Sequence, residues 1–258
     1  MNIETAKQAF HEYVKDYSLE DEKILLKVIH TEKVAQLCRQ IARSLRLTRE
    51  QQDLAELIGW LHDIGRFEQI RRYQTFLDSQ SEDHALLGIR ILQEQQFLRS
   101  FIEEDIYDEI IYTAIRNHNR FVVEDNLTQE ELLYVNLIRD ADKIDIFRVD
   151  CEESCELLFQ CNPQQLKKET ISKEVYEDVM KEKSVLAKKR KTPLDMYISH
   201  LALLFDMHFV ESIQLVKQHG NYQTLRTMYT FENPTTKQQF QSIQEKIETY
   251  IEDKTKGL

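Results

Sequence analysis

Residues 48–66 read Thr-Arg-Glu-Gln-Gln-Asp-Leu-Ala-Glu-Leu-Ile-Gly-Trp-Leu-His-Asp-Ile-Gly-Arg, and this stretch contains both the fold class and the first sign of chemistry. Thr48 followed three residues later by Gln51 is a helix start, because hydroxyl and amide can satisfy the free amides of a first turn. Leu54, Ile58 and His62 then recur at spacings of four, which is one stripe of a helix. Gly65 is expected to stop that helix. The stripe is apolar until it reaches a histidine, and an acid, Asp63, follows at once.

The same signature recurs along the chain at Ser18 with Asp21, Thr128 with Glu131, Thr192 with Asp195 (Pro193 behind it) and Thr235 with Gln238. Apolar residues between these starts keep the helical period, which predicts helices near 3–17, 19–45, 49–63, 82–97, 103–118, 129–160, 172–189, 194–218 and 236–253. Composition agrees: the 258 residues include only 5 Gly and 3 Pro, against ordinary shares of about 7 and 5 percent. A turn-dense β sandwich or barrel is excluded on that ground, and the expected class is all-α.

The size allows a substantial core without disulfides or structural metal. The expected organisation is a helical core over 1–160 and a helical C-terminal extension over 161–258 that covers a pocket or builds a homodimer. Segment 66–81 has no clean period and reads as a long connection of the kind that is often functional. Lys188 to Lys191, ahead of Pro193, read as a hinge; as cations they are a phosphate contact or, more simply, a solvated helix end.

A net charge of −11 repels polyanions and argues against sequence-independent nucleic-acid binding. No signal-peptide pattern or membrane-length apolar run is present, so the expected location is cytoplasmic, with no membrane partner. Cys38, Cys151, Cys155 and Cys161 form no C-x-x-C pair, and Cys151 and Cys155 should share a helix face as reduced thiols.

Chemistry enters through the other stripes. His30 continues the face of Val34, Leu37 and Ile41; His118 follows Ile111 and Ile115; His84 precedes Leu87 and Ile91; Asp142 follows Val135 and Ile138. Any one inward histidine is readily a satisfied core residue, since neutral imidazole needs only one or two partners. An inward aspartate is different, because an ionised carboxylate stripped of water must be paired or bind a metal. Five helices each offering a nitrogen or oxygen donor to one interior, with Asp63 beside His62, suit iron, manganese, cobalt or zinc at a catalytic site.

With His30 on the preceding helix and Arg139-Asp140-Ala141-Asp142-Lys143-Ile144-Asp145 downstream, the string His62-Asp63-Ile64-Gly65-Arg66 resembles the HD-domain superfamily of metal-dependent phosphohydrolases, over about residues 25–150. The resemblance implies a minimal metal set of His30, His62, Asp63 and Asp142, with His84 and His118 completing a dinuclear one. Asp63 would bridge two divalent ions, His30, His62 and Asp142 holding one and His84 and His118 the other. A metal-activated hydroxide would then attack a small phosphate ester or nucleotide. Arg66 and Arg72 are candidate phosphate contacts, the alternative being that Arg71 and Arg72 are solvated surface charges; Lys143 is a candidate phosphate contact or leaving-group acid. Asp145 could orient a ligand histidine, whereas Asp140 should face solvent or cap a neighbour.

Departures narrow the substrate. Relatives acting on guanosine tetraphosphate and the one-metal nucleotidases carry acids three or four residues beyond the His-Asp pair, where this chain has Arg66 and Phe67. The cyclic-dinucleotide phosphodiesterases carry a Gly-Tyr-Pro signature that is missing after Asn117-His118-Asn119. Two rival functions share the residues: a mixed-valence di-iron oxygenase of the HD type, and a nucleotide-binding regulatory module. His200 and His208, eight apart with Leu204 between them, could be a further metal or lid contact or two core histidines; Met228 to Phe231 reads as packing.

Overall fold

A computed structural model describes residues 1–256. Among the described residues the regular structure is helix, with no strand, which is the expected all-α class. Two compact units divide between Asp142 and Lys143, so residues 143–160, assigned to the core in the sequence reading, fall in the second unit.

The first unit contains α1 (Ile3–Val14), α2 (Glu22–Ser44), α3 (Arg49–Leu61), α4 (Ile64–Tyr73), α5 (His84–Gln93), α6 (Asp108–His118) and the first part of α7 (Gln129–Glu152). Thr48 and Gln51 form the expected reciprocal cap of α3, and Thr128 with Glu131 does the same for α7. At α2 the cap is Asp21, which accepts from the Lys23 amide, rather than Ser18, and the helix starts three residues later than predicted. The predicted stripes are buried: Val34, Ile41, Leu54, Ile58, Ile111, Ile115, Val135 and Ile138 are all shielded from solvent. Phe10 joins them, packing on Trp60 and Phe67 with ring centroids 5.2 and 5.7 Å apart.

Segment 66–81 departs from expectation. Its first part belongs to α4, whose buried residues Ile64, Phe67 and Ile70 keep helical spacing; the charged residues Arg66, Glu68, Arg71 and Arg72 among and after them hid the period. Gly65 does not end a helix but lies in the first turn of α4. A Cβ there would stand 2.2 Å from the His84 carbonyl oxygen and 2.6 Å from the Gly88 nitrogen. Glycine is required because α4 and α5 cross with their backbones touching. Gly59 has the same function between α3 and α2, where a Cβ would fall 2.5 Å from the Ala35 Cα.

In the second unit α7 is followed by α8 (Cys155–Phe159), α9 (Pro163–Lys168), α10 (Lys173–Met180), α11 (Pro193–Leu201), α12 (Val210–His219), α13 (Asn221–Thr227) and α14 (Pro234–Thr255). The predicted helix 129–160 is interrupted because Ser154 caps α8, accepting from the Leu157 amide, so Cys151 and Cys155 do not share one helix. Helix 172–189 is likewise shorter, and helix 194–218 breaks after Leu201, so His208 shares no helix face with His200. His200 instead bonds the buried Asp150 carboxylate through Nδ1 at 2.8 Å. Stretch 188–192 lies inside the second unit. The Lys191 and Thr192 amides donate to Asp195, and Lys189 pairs with Asp178 at 2.5 Å; the segment is pinned rather than left as a hinge. α14 starts from Asn233 with Pro234 behind it, in place of Thr235. Phe231 packs on Phe240 at 4.8 Å, as packing predicts. The four cysteines are free thiols, with Cys155 and Cys161 Sγ 3.3 Å apart.

Candidate metal centre

Helix ends build the centre. His62 is the residue that closes α3, Asp63 precedes α4, His84 is the first residue of α5 and His118 the last of α6; His30 comes from within α2. Asp63 has φ −106° and ψ 15°, the sparsely populated bridge region common at active sites. Although it holds the capping position of α4, its side chain caps nothing there. The carboxylate is turned instead toward the histidines.

Its two oxygens face different pairs. Oδ2 lies 3.6 Å from His30 Nε2 and 3.6 Å from His62 Nε2; Oδ1 lies 3.4 Å from His84 Nε2 and 3.8 Å from His118 Nε2. His30, His62 and Asp63 form one buried group with donor atoms within 4.8 Å of one another, and Asp63, His84 and His118 form another. Asp142, from α7, reaches the first group through Oδ1, 3.1 Å from His30 Nε2. The six residues proposed as ligands from the sequence thus converge on Asp63 and His30.

Three of the rings are held in one tautomer. Nδ1 of His62 donates to the Gly59 carbonyl at 2.8 Å, Nδ1 of His118 to the Ile115 carbonyl at 2.7 Å and Nδ1 of His84 to the Asp78 carboxylate at 2.8 Å. Carbonyls and ionised carboxylates only accept, so each Nε2 carries a lone pair. Burial, and then the Arg66 charge, push His84 down to about 4; burial pushes His118 to about 4 as well. Both rings are therefore neutral at pH 7, yet their Nε2 atoms are 3.1 Å apart. Two lone pairs at that distance need a cation, and His62 Nε2 is enclosed with no hydrogen-bond partner among the described residues. The donor set of imidazoles and carboxylates without thiolate fits a divalent ion of the iron, manganese, cobalt or zinc type.

The carboxylates are ionised. Burial alone would raise Asp63, but the Lys27 ammonium and the Arg66 guanidinium hold it well below the ordinary carboxylate range; Asp142 is lowered too, by its bond to His30 acting against burial. Asp78 sits at about 2, where His84 and Arg66 overcome its desolvation. Asp78, Asp83 and His84 also cluster within 4.8 Å, but Asp78 is engaged by His84 and Arg66 and Asp83 caps α5.

The candidate substrate contacts are placed as follows. Arg66 has Nε 3.6 Å from Asp63 Oδ1 and donates to Gln69 Oε1, the Phe76 carbonyl and Asp78. Arg71 and Arg72 are in the last turn of α4, not in a loop, and both pair with the buried Glu68. Lys143, in the second unit, pairs with Asp206 at 2.9 Å. Asp145 accepts two bonds from Arg148, at 2.7 and 2.8 Å, and Asp140 is fully buried rather than solvent-facing.

Three residues not singled out by the sequence reading support the centre. Lys27 Nζ is 2.7 Å from Asp63 Oδ2; it precedes His30 by one helical turn, and that spacing was the available signal. Asp78 orients His84 in the manner anticipated for Asp145. Arg139, buried on α7 one turn before Asp142, donates to the carbonyls of Asn117, His118 and Arg120 at the end of α6. A cation is favourable there because the last carbonyls of a helix lack intrahelical partners.

No curated protein and no solved structure matches the chain. Residues 28–146 match the family model for the HD domain, a span that runs from the turn before His30 to just past Asp142 and takes in all six converging residues. The stretch 28–146 is therefore an HD-domain match, and the HD domain is the mark of a superfamily of metal-dependent hydrolases.

Proposed function

We propose that the protein is a metal-dependent phosphoric ester hydrolase acting on a small phosphate ester or nucleotide, in the cytoplasm, with its C-terminal part acting as a lid or in a homodimer. The observation that supports this most is Asp63 offering one oxygen to His30 and His62 and the other to His84 and His118. In this reading His30, His62, Asp142 and Asp63 would hold one divalent ion, and His84, His118 and Asp63 would hold the second. When bound, such a pair supplies Lewis acidity and lowers the pKa of water into the neutral range.

The chain's own groups do the rest. Asp78 keeps the His84 lone pair aimed inward, and the Gly59 and Ile115 carbonyls do so for His62 and His118. Arg66, held beside Asp63 by Asp78 and the Phe76 carbonyl, offers guanidinium N–H groups to a phosphoryl oxygen. Arg72 and Lys143 are the further phosphate cations, Lys143 also as the proton donor to the leaving oxygen.

The test is elemental analysis of protein purified without chelator, followed by a phosphate-ester panel with added Mn2+ or Co2+. Metal-dependent phosphate release that disappears in Asp63→Ala is the expected result. Oxygen uptake with a mixed-valence iron signal and no phosphate release would establish the oxygenase instead, and nucleotide binding without turnover the regulatory module.

A further inference from the structure

The two oxygens of Asp63 are not equivalent. Oδ2, on the His30 and His62 side, carries the Lys27 ammonium at 2.7 Å. Oδ1, on the His84 and His118 side, has the Arg66 Nε only at 3.6 Å, beyond hydrogen-bond range, and the Arg66 Nη1 is bonded to Gln69, the Phe76 carbonyl and Asp78. Lys27 belongs to α2, like His30, and its side chain is mostly shielded from solvent. One side of the centre therefore has a cation of the chain's own already in contact with the bridging carboxylate.

An ion bound through Oδ2 must share that oxygen with the ammonium or displace it, and like charges a few ångströms apart in a poorly solvated site repel strongly. A lysine stem is long and flexible enough to move. The structure also provides a receiving surface, because the Phe76 ring centroid is 5.5 Å from Lys27 Nζ, close enough for the ring face to attract a cation. On the Oδ1 side the Arg66 guanidinium is an ion-pair neighbour at 3.6 Å, without a hydrogen bond to the oxygen, and it is anchored through Nη1 to Gln69, the Phe76 carbonyl and Asp78, so it stands beside the seat and not in it.

From this asymmetry we infer that Lys27 is a tethered competitor for the Asp63 Oδ2 seat, so that the two metal seats fill in sequence: the His84 and His118 seat first, the His30, His62 and Asp142 seat second and more weakly. Lys27 also offsets the extra negative charge that Asp142 brings to that side. The inference rests on reading the centre as a two-cation site but not on the reaction it performs.

Titration of chelator-stripped full-length protein with Mn2+, following loss of the free-ion electron paramagnetic resonance signal, tests it without a substrate. Wild type should bind in two steps of unequal affinity. Lys27→Met should tighten the weaker step at least tenfold and leave the tighter one within twofold, while Lys27→Arg should keep the two steps apart. Identical isotherms for wild type and Lys27→Met, or weakening of both steps in the variant, would overturn the inference, the second result showing that the lysine merely holds Asp63 in place. Should circular dichroism show that Lys27→Met has lost helix content, Lys27→Gln takes its place in the comparison. Two-step binding together with no phosphate-ester hydrolysis would leave this inference standing and remove the proposed activity. A wild type that binds no Mn2+ would remove both.

Discussion

Nε2 of His84 stands 3.1 Å from Nε2 of His118, and neither ring can turn its other nitrogen inward because each Nδ1 is already a donor, to Asp78 and to the Ile115 carbonyl. The pair is a preorganised set of lone pairs with its orientation fixed from outside. Its behaviour without metal should differ sharply from its behaviour with metal.

In the ion-free protein both rings titrate near 4, whereas in the unfolded chain they do so near 6.5. The unfolded state then binds more protons between those values, so stability falls as pH is lowered from about 6.5 toward 4. The expected loss is about 3 kcal/mol per histidine over the whole window, of which about 2 kcal/mol falls between pH 7 and pH 5. Urea denaturation of chelator-stripped protein at pH 7 and pH 5 measures it, and His118→Asn should flatten the dependence. Equal stability at both pH values would contradict it.

Asp63→Ala should abolish turnover and metal retention while leaving the far-ultraviolet circular dichroism nearly unchanged, because the carboxylate caps no helix. Elemental analysis and a metal-dependent activity assay check both halves. Full activity in this variant would contradict the assigned role of Asp63.

Asp78→Ala removes the acceptor that fixes the His84 tautomer. A loss of about 10- to 100-fold in metal affinity is expected, the usual effect of deleting a group that orients a ligand. Mn2+ titration should locate the loss in one seat, with the other unaffected.

Gly65→Ala places a methyl group against the His84 carbonyl and the Gly88 backbone, neither of which is a flexible side-chain tip. Forced separation of α4 from α5 should cost about 1 to 3 kcal/mol. It should also weaken metal binding, since α5 carries His84; chemical denaturation and metal titration are the measurements.

Arg139→Met leaves the carbonyls at the end of α6 without their donor. About 1 to 3 kcal/mol of stability should be lost, together with metal affinity on the His118 side. Arg139→Lys should restore part of both.

The helical class and all six converging residues were legible in the sequence because each lies on or just beyond an apolar stripe whose period survives local charge. α4 was not, since Arg66, Glu68, Arg71 and Arg72 interrupt its stripe and its burial is decided by backbone contact with α5. Gly65 was misread for the same reason: a glycine that permits close approach and one that ends a helix look alike until the partner helix is known. The partners of the histidines were equally hidden. Asp78 lies on a short turn and reaches His84 only through the path of the chain, while Asp145, correctly spaced on α7, is held by Arg148. Periodicity ran on past Glu152, where α7 ends, and missed the new helix start that Ser154 caps at α8.

The donors around Asp63 are contributed by segments from His30 to Asp142, most of them at the tips of different helices. No short fragment can assemble them, so a cation that recognises the finished arrangement has almost no affinity for a partly folded chain. Loaded metal should consequently act as a late lock, raising the melting temperature in proportion to the logarithm of its free concentration, and a truncated product that fails to close this circuit would remain without metal and be exposed to proteolysis.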